Sequence, residues 1–310
     1  MAKHILYIDT IFDANWDIAS PARKRKMKDK LETATTRLRN TRFNVLVFSS
    51  LEVEIEYGEL RLSFNDTAFD ELYEDLDEIF DELKAGGKTL LFSVGYWTGS
   101  HVFEAISKVG VEAFCKAFYE QVAKPLGIDG LDIDLEAGKE GETWESVFNT
   151  YGQLIIDLTN HYTQTYGGVV SHVANMNIVD TQYLNAGIEG SKEGILAATK
   201  GTHKNNISWI SVNLPAQNQP DQVLKFFGDK VMKPLEKVGF KLKINRPKDM
   251  IVPGFAAYTP DYLEPGQQLI SKAAAKFKTK GYFVWKSSLL SNDECKLKVE
   301  NRWLELIWGR

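Results

Sequence analysis

Short apolar, β-rich runs alternate along the chain with longer amphipathic segments. Eight such runs occur, at about 4–9, 43–49, 88–95, 130–136, 169–177, 207–214, 249–257 and 281–288. Several are almost continuously hydrophobic, as in Phe43-Asn44-Val45-Leu46-Val47-Phe48. Strands buried on both faces have that composition, and parallel sheets bury both faces. The segments between them have helical spacing. Leu72, Leu76, Ile79, Phe80 and Leu83 recur on one stripe, and Gly86-Gly87 closes that helix. A last helix is predicted over about 292–308. Eight strand–helix units predict an α/β fold, a closed (β/α)8 barrel. Barrels of this length are commonly undivided, so one domain is expected over 1–310.

The stretch from Glu52 to Phe64 breaks the rhythm. Ile55 and Tyr57, then Leu60, Leu62 and Phe64, alternate with polar residues on either side of Gly58, a hairpin signature. It is expected in the loop after the second strand, at the barrel mouth.

Composition narrows the function classes. The chain is 44% hydrophobic and 25% charged, an ordinary globular balance able to fill a large core. A net charge of -5 gives no footprint for nucleic acid. The basic run Arg23 to Lys30 falls on the first predicted helix and reads as a solvated face. No apolar run approaches the roughly 20 residues of a membrane helix, so no membrane partner is expected. The N-terminus meets Asp9 too soon for a secretory signal. The protein is expected to be cytoplasmic, or else secreted with a leader absent from this chain. Cys115 and Cys295 are too few for a disulfide framework or a zinc cluster, and Cys115, between Phe114 and Phe118, reads as a buried thiol.

The fourth run carries the chemistry: Asp129-Gly130-Leu131-Asp132-Ile133-Asp134-Leu135-Glu136. Alternate residues of a strand share a face, so Asp132, Asp134 and Glu136 point one way and Ile133 and Leu135 the other. Three acids inside a barrel repel one another and lose hydration, which raises at least one pKa. That suits a general acid working near neutral pH. The last acid ends the strand, where barrels carry their active sites. Two plainer readings compete: a structural ion network with lysines, and a metal site. Metal ligands usually come from several strands and no histidine lies close by, so neither a metal nor a cofactor is expected. Asp129, at odd spacing, is expected to hold the strand or its neighbouring loop.

This run resembles the Asp-x-x-Asp-x-Asp-x-Glu motif on the fourth strand of glycoside hydrolase family 18. That family holds chitinases and endo-β-N-acetylglucosaminidases. Other residues are similar to the family pattern at lower detail. Tyr7 matches its first-strand tyrosine, and Ser93-Val94-Gly95-Tyr96-Trp97 its third-strand Ser-x-Gly-Gly. Trp285 matches its eighth-strand tryptophan, which floors the sugar site. The resemblance implies a retaining, substrate-assisted glycosidase without a protein nucleophile. It makes Glu136 the proton donor and later the base. Asp134 would orient the substrate's acetamido group as that group attacks the anomeric carbon. Asp132 would share a proton with Asp134.

Two departures from the pattern stand out. Tyr96 replaces the second glycine of the third-strand signature. The sixth strand, Ile207 to Pro215, lacks the tyrosine that holds the acetamido oxygen. Asn213 is able to donate that bond through its amide, and Tyr258 is placed to reach in from the seventh strand. The expected sugar-binding residues are therefore Tyr7, Tyr96, Trp97, Asn213, Tyr258 and Trp285. Asn175 and Asn177 serve equally as sugar contacts or loop caps. Trp209 and His172, inside strands, read as core.

About two dozen residues separate Tyr258 from the eighth strand, room for a helix but not for an inserted α+β domain. The groove is then open on that side, with Glu52, Glu54 and the hairpin walling the other. The expected partner is an N-acetylglucosamine-containing oligosaccharide or polysaccharide, and the expected state a monomer. By analogy with most of the family the preferred activity is chitinase-like. The alternatives are an endo-β-N-acetylglucosaminidase of the N-glycan chitobiose core and a chitinase-like lectin without turnover.

Overall fold

A computed structural model of the chain describes residues 2–8, 32, 35–36, 38–41, 43–64, 73–95, 100–135, 141, 144–174, 208–214, 219–233, 236, 247–256, 262–279 and 281–285. The predicted last helix, the basic run and Cys295 lie outside them.

Nine strands form one sheet. They are β1 (Lys3–Ile8), β2 (Val45–Glu56), β3 (Glu59–Phe64), β4 (Thr89–Gly95), β5 (Gly130–Asp134), β6 (Val169–Ala174), β7 (Trp209–Asn213), β8 (Ile251–Ala256) and β9 (Gly281–Trp285). All pairings are parallel except β2–β3, and β1 pairs with both β2 and β9. Eight strands thus close into a parallel barrel, with β3 as an appendage. In barrel order β5 is the fourth strand, β7 the sixth and β9 the eighth. Each of the eight apolar runs supplies one barrel strand. The run expected from 249 starts late, because Pro247–Met250 form a 3-10 turn and the strand begins at Ile251.

Helices α1 (Tyr73–Ala85), α2 (His101–Val109), α3 (Val111–Phe118), α4 (Trp144–Tyr166), α5 (Pro220–Phe227) and α6 (Leu263–Phe277) lie between the strands. Strand alternation sorts the apolar side chains into an outer layer against the helices and a core inside the barrel. Leu6, Ile8, Leu46, Phe48, Phe92, Val94 and Ile133 face outward and pack with Leu76, Phe80 and Leu83 of α1 and with Phe103 of α2. Ile5, Tyr7, Val45, Val47, Leu91, Trp209, Val252 and Phe283 fill the barrel itself. Trp209 is core as expected, although it opens β7 rather than lying in mid-strand. Cys115 is buried as expected, and burial pushes its thiol up to about 12. Such a thiol stays protonated and unreactive.

Asp129 precedes β5 and faces away from the other acids. Its Oδ1 accepts from Lys84 Nζ at 2.8 Å and its Oδ2 from the Leu90 amide at 2.8 Å. It therefore ties the end of α1 and the start of β4 to β5. Asp129→Ala removes both bonds and is expected to cost about 1–2 kcal/mol of stability. A shift in the urea midpoint checks this, and an unchanged midpoint would refute the tying role.

The hairpin is real but is not a separate loop. β2 runs on through an irregularity between Phe48 and Leu51 into the hairpin, which turns at Tyr57-Gly58, both at positive φ. Leu51/Phe64, Val53/Leu62 and Ile55/Leu60 pair on one face, and Glu52/Ser63, Glu54/Arg61 and Glu56/Glu59 on the other. Leu51, Val53, Leu60, Leu62 and Phe64 of the apolar face pack toward α2 and α3, Ile55 at its outer end is exposed, and on the polar face Glu52 Oε2 lies 3.2 Å from His101 Nε2. Between β8 and β9 the described residues form α6 and no inserted sheet.

Candidate active site

Glycine sets the spacing around β5. A Cβ at Gly130 would lie 1.8 Å from the Val169 carbonyl oxygen. At Gly95, where φ is +89°, it would lie 2.2 Å from the Asp134 carbonyl oxygen and 2.7 Å from the Phe103 ring. The glycines of Asp-Gly-Leu-Asp and of Ser-Val-Gly thus let β4 and β6 close directly on the acidic strand. That backbone approach fixes Asp132 and Asp134 on the inner face.

Asp132 is fully buried and Asp134, one step nearer the C-terminal rim, is 5% exposed. In register, Asp132 lies between Ser93 on β4 and Ser171 on β6. Ser171 Oγ donates a hydrogen bond to Asp132 Oδ1. Asp132 Oδ2 makes no hydrogen bond among the described residues. Burial pushes the Asp132 carboxyl up to about 6, and the hydroxyls of Ser171, Tyr7 and Ser93 oppose the rise. One raised carboxylate is expected from the sequence, and its cause here is burial rather than repulsion from Asp134.

Tyr7 is buried on the inner face, and its hydroxyl donates to Ser211 Oγ at 3.2 Å. Burial, reinforced by the Asp132 charge, holds the phenol well above its usual range, so it remains a neutral donor. Trp285 ends β9 in register with Tyr7, its ring 5.5 Å away and tilted by 49°. Asn213 is half-buried at the end of β7, on the same face as Trp209 and Ser211 by alternation. The structure thus gathers Tyr7, Asp132, Asp134, Asn213 and Trp285 on the inner face at one end of the barrel. Glu136, Tyr96, Trp97, Tyr258, Asn175 and Asn177 lie outside the described residues.

His172 faces the other way. Its Nε2 lies 2.9 Å from Thr159 Oγ1 on α4, and burial lowers its pKa to about 4. It is a hydrogen-bonded core histidine, as its position within the strand predicts. Among the described residues no three His, Cys, Asp or Glu side chains are grouped to hold a metal ion.

Ser171 and Ser211 are absent from the expected site residues. The available signal was parity. Each is a small polar residue on an inner face, Ser171 between Val169 and Val173 on β6 and Ser211 between Trp209 and Asn213 on β7.

No protein-family model matches the chain, and no curated protein matches it in sequence. Solved structures do match its fold. A GH18 chitinase from Pseudoalteromonas aurantia aligns with 96% of this chain and 99% of its own, at 17% identity and a TM-score of 0.56. A class V chitinase from Nicotiana tobaccum aligns with 92% of this chain and 94% of its own, at 11% identity and 0.54. A xylanase and α-amylase inhibitor protein from Scadoxus multiflorus aligns with 97% of this chain and 98% of its own, at 12% identity and 0.50. At such identities the likeness establishes a shared (β/α)8 architecture. Proteins described as chitinases and as inhibitors both use it.

Proposed function

We propose that the chain is a retaining, substrate-assisted glycosidase that cleaves β-1,4 linkages in N-acetylglucosamine polymers. The observation that carries this reading is the pair of buried carboxylates, Asp132 and Asp134, on the inner face at the C-terminal end of the fourth barrel strand. They lie at the end of the barrel that holds Tyr7 and Trp285. Glu136 follows them in sequence by one further alternation.

In the proposed reaction Glu136 protonates the glycosidic oxygen. The substrate's 2-acetamido carbonyl oxygen attacks the anomeric carbon, the bond to the leaving sugar breaks, and an oxazolinium ion forms. Asp134 accepts the acetamido N–H and stabilises the positive charge as it develops. Asp132, with its carboxyl at about 6, shares a proton with Asp134. Glu136 then takes a proton from water as the water oxygen attacks the anomeric carbon, the bond from that carbon to the acetamido oxygen breaks, and the product keeps the β configuration. The Trp285 indole stacks on the sugar's apolar face. Asn213 donates to the acetamido oxygen in place of the missing tyrosine. A structure of the tobacco class V chitinase in complex with NAG4 is among the fold matches and is consistent with a chain-like amino-sugar ligand.

The test compares chitooligosaccharides with a high-mannose glycopeptide. Release of β-anomeric products from the former, blocked by a thiazoline mimic of the oxazolinium ion, supports the reading. Cleavage confined to the glycopeptide would move it to an endo-β-N-acetylglucosaminidase. An active enzyme indifferent to the thiazoline would remove the substrate-assisted mechanism. Asn213 in place of tyrosine favours a second reading, a non-catalytic carbohydrate-binding protein. Binding of chitooligosaccharides without cleavage of either substrate would establish that reading.

A further inference from the structure

Ser171 occupies a position that packing alone would give to an apolar residue. Its inner-face neighbours on β6 are Val169 and Val173, and it is fully buried. A buried hydroxyl is costly unless it finds a partner. The partner here is Asp132 Oδ1, reached across the β5–β6 pairing, where Asp132 and Ser171 are in register. The other oxygen, Oδ2, has no hydrogen bond of ordinary geometry among the described residues, although the Tyr7 and Ser93 hydroxyls lie near enough to the carboxylate to favour its charge. The two oxygens of one carboxylate are therefore unequal.

We propose that Ser171 is a positioning residue for the carboxylate pair. By occupying Oδ1 it fixes the rotation of Asp132, and it leaves Oδ2 as the oxygen that meets the proton shared with Asp134. The catalytic part of this inference rests on the glycosidase reading; the hold on Asp132 does not. A hydrogen bond to the ionised carboxylate also favours that form against the effect of burial. Among the described residues, the titratable groups on the inner faces with Asp132 are Asp134 on its own strand, Tyr7 on β1 and, toward the opposite end, Lys3, whose Nζ lies 5.3 Å from the Trp209 ring. The residues facing Asp132 from β4 and β6 are the serines Ser93 and Ser171.

The test reads Asp132 directly in the ligand-free protein. Carboxyl-labelled aspartate is followed by carbon NMR against pH, with Asp132→Asn to assign the signal. Wild type is expected to titrate near 6. In Ser171→Ala the midpoint is expected to rise by about 1 pH unit, the usual scale for one charge-assisted bond. Ser171→Thr keeps the hydroxyl and is expected to bring the midpoint back. On chitooligosaccharides the acid limb of the kcat profile should move up with the midpoint in Ser171→Ala, while KM stays within about twofold. A merely structural serine would lower the melting temperature and leave the midpoint where it is. An unchanged midpoint in Ser171→Ala overturns the proposal. So does a midpoint that stays raised in Ser171→Thr, because packing rather than the hydroxyl would then set it. If wild type hydrolyses nothing, the NMR series still decides the role of Ser171, and only the glycosidase reading fails.

Discussion

Glu136→Gln is expected to lower kcat on chitooligosaccharides by about 10²–10⁴-fold, the usual contribution of a positioned general acid. Binding should stay within a few-fold of wild type. Glutamine has nearly the shape of glutamate and can still hydrogen-bond the glycosidic oxygen, but it has no proton to deliver. Leu135 is buried in the outer core while Asp132 and Asp134 face inward. Period-two spacing in the sequence assigns Glu136 the same parity as Asp132 and Asp134. In a substrate-assisted reaction the acetamido group supplies the attack, so the proton donor is the main group the protein adds at the breaking bond. Reducing-end release measures kcat, and calorimetry with the variant measures affinity. Retained turnover in Glu136→Gln would move the acid elsewhere. Loss of binding together with turnover would make Glu136 a binding residue instead.

Where the strands lie was legible because a parallel barrel demands two buried faces. Val45 and Val47 fill the interior, and Leu46 and Phe48 pack on the helices. Such strands look the same in a sequence whatever their neighbours are. What was not legible was the path of β2. Alternation predicts the hairpin, but nothing in Glu52–Phe64 says that the strand runs unbroken into it or which way its apolar face turns. That direction is set by α2 and α3, which offer the hairpin an apolar surface.

The site divides in the same way. Period-two spacing suffices to put Asp132 and Asp134 together and Asp129 apart. The groups facing them come from other strands, and their height depends on register, which a single strand does not encode. Ser171 meets Asp132 because β5 and β6 pair Gly130 with Val169, and Gly130 allows that close approach. Parity narrows the candidates on β6 to Val169, Ser171 and Val173. Only the pairing shows that the serine is the one level with the acid.

Asp132→Asn is expected to make the protein more stable while disabling it, and the gain should depend on pH. The Asp132 carboxyl titrates at about 6 in the fold against 3.8 for the free side chain, so the folded state binds its proton more tightly than the unfolded chain does. The stability that comes from the protonated form is fully present below 3.8 and is lost as pH rises through about 6. That difference corresponds to about 3 kcal/mol of cost once the group is ionised in both states. Asparagine is neutral throughout. Its Oδ1 can accept the Ser171 hydroxyl, and its amide can donate on the side where Oδ2 stood. Urea unfolding should therefore show the variant about 2–3 kcal/mol more stable at pH 8 and close to wild type at pH 3.5. Equal stability at pH 8, or a larger gain in acid, would mean that burial is not what holds the proton on Asp132. The same measurement joins the two arguments about this carboxylate. If Ser171 stabilises the ionised form, removing its hydroxyl raises the cost of that charge. The gain from Asp132→Asn at pH 8 should then be larger in Ser171→Ala than in wild type, by the free energy of the midpoint shift, about 1.4 kcal/mol per pH unit. A residue that only packed would leave the two gains equal.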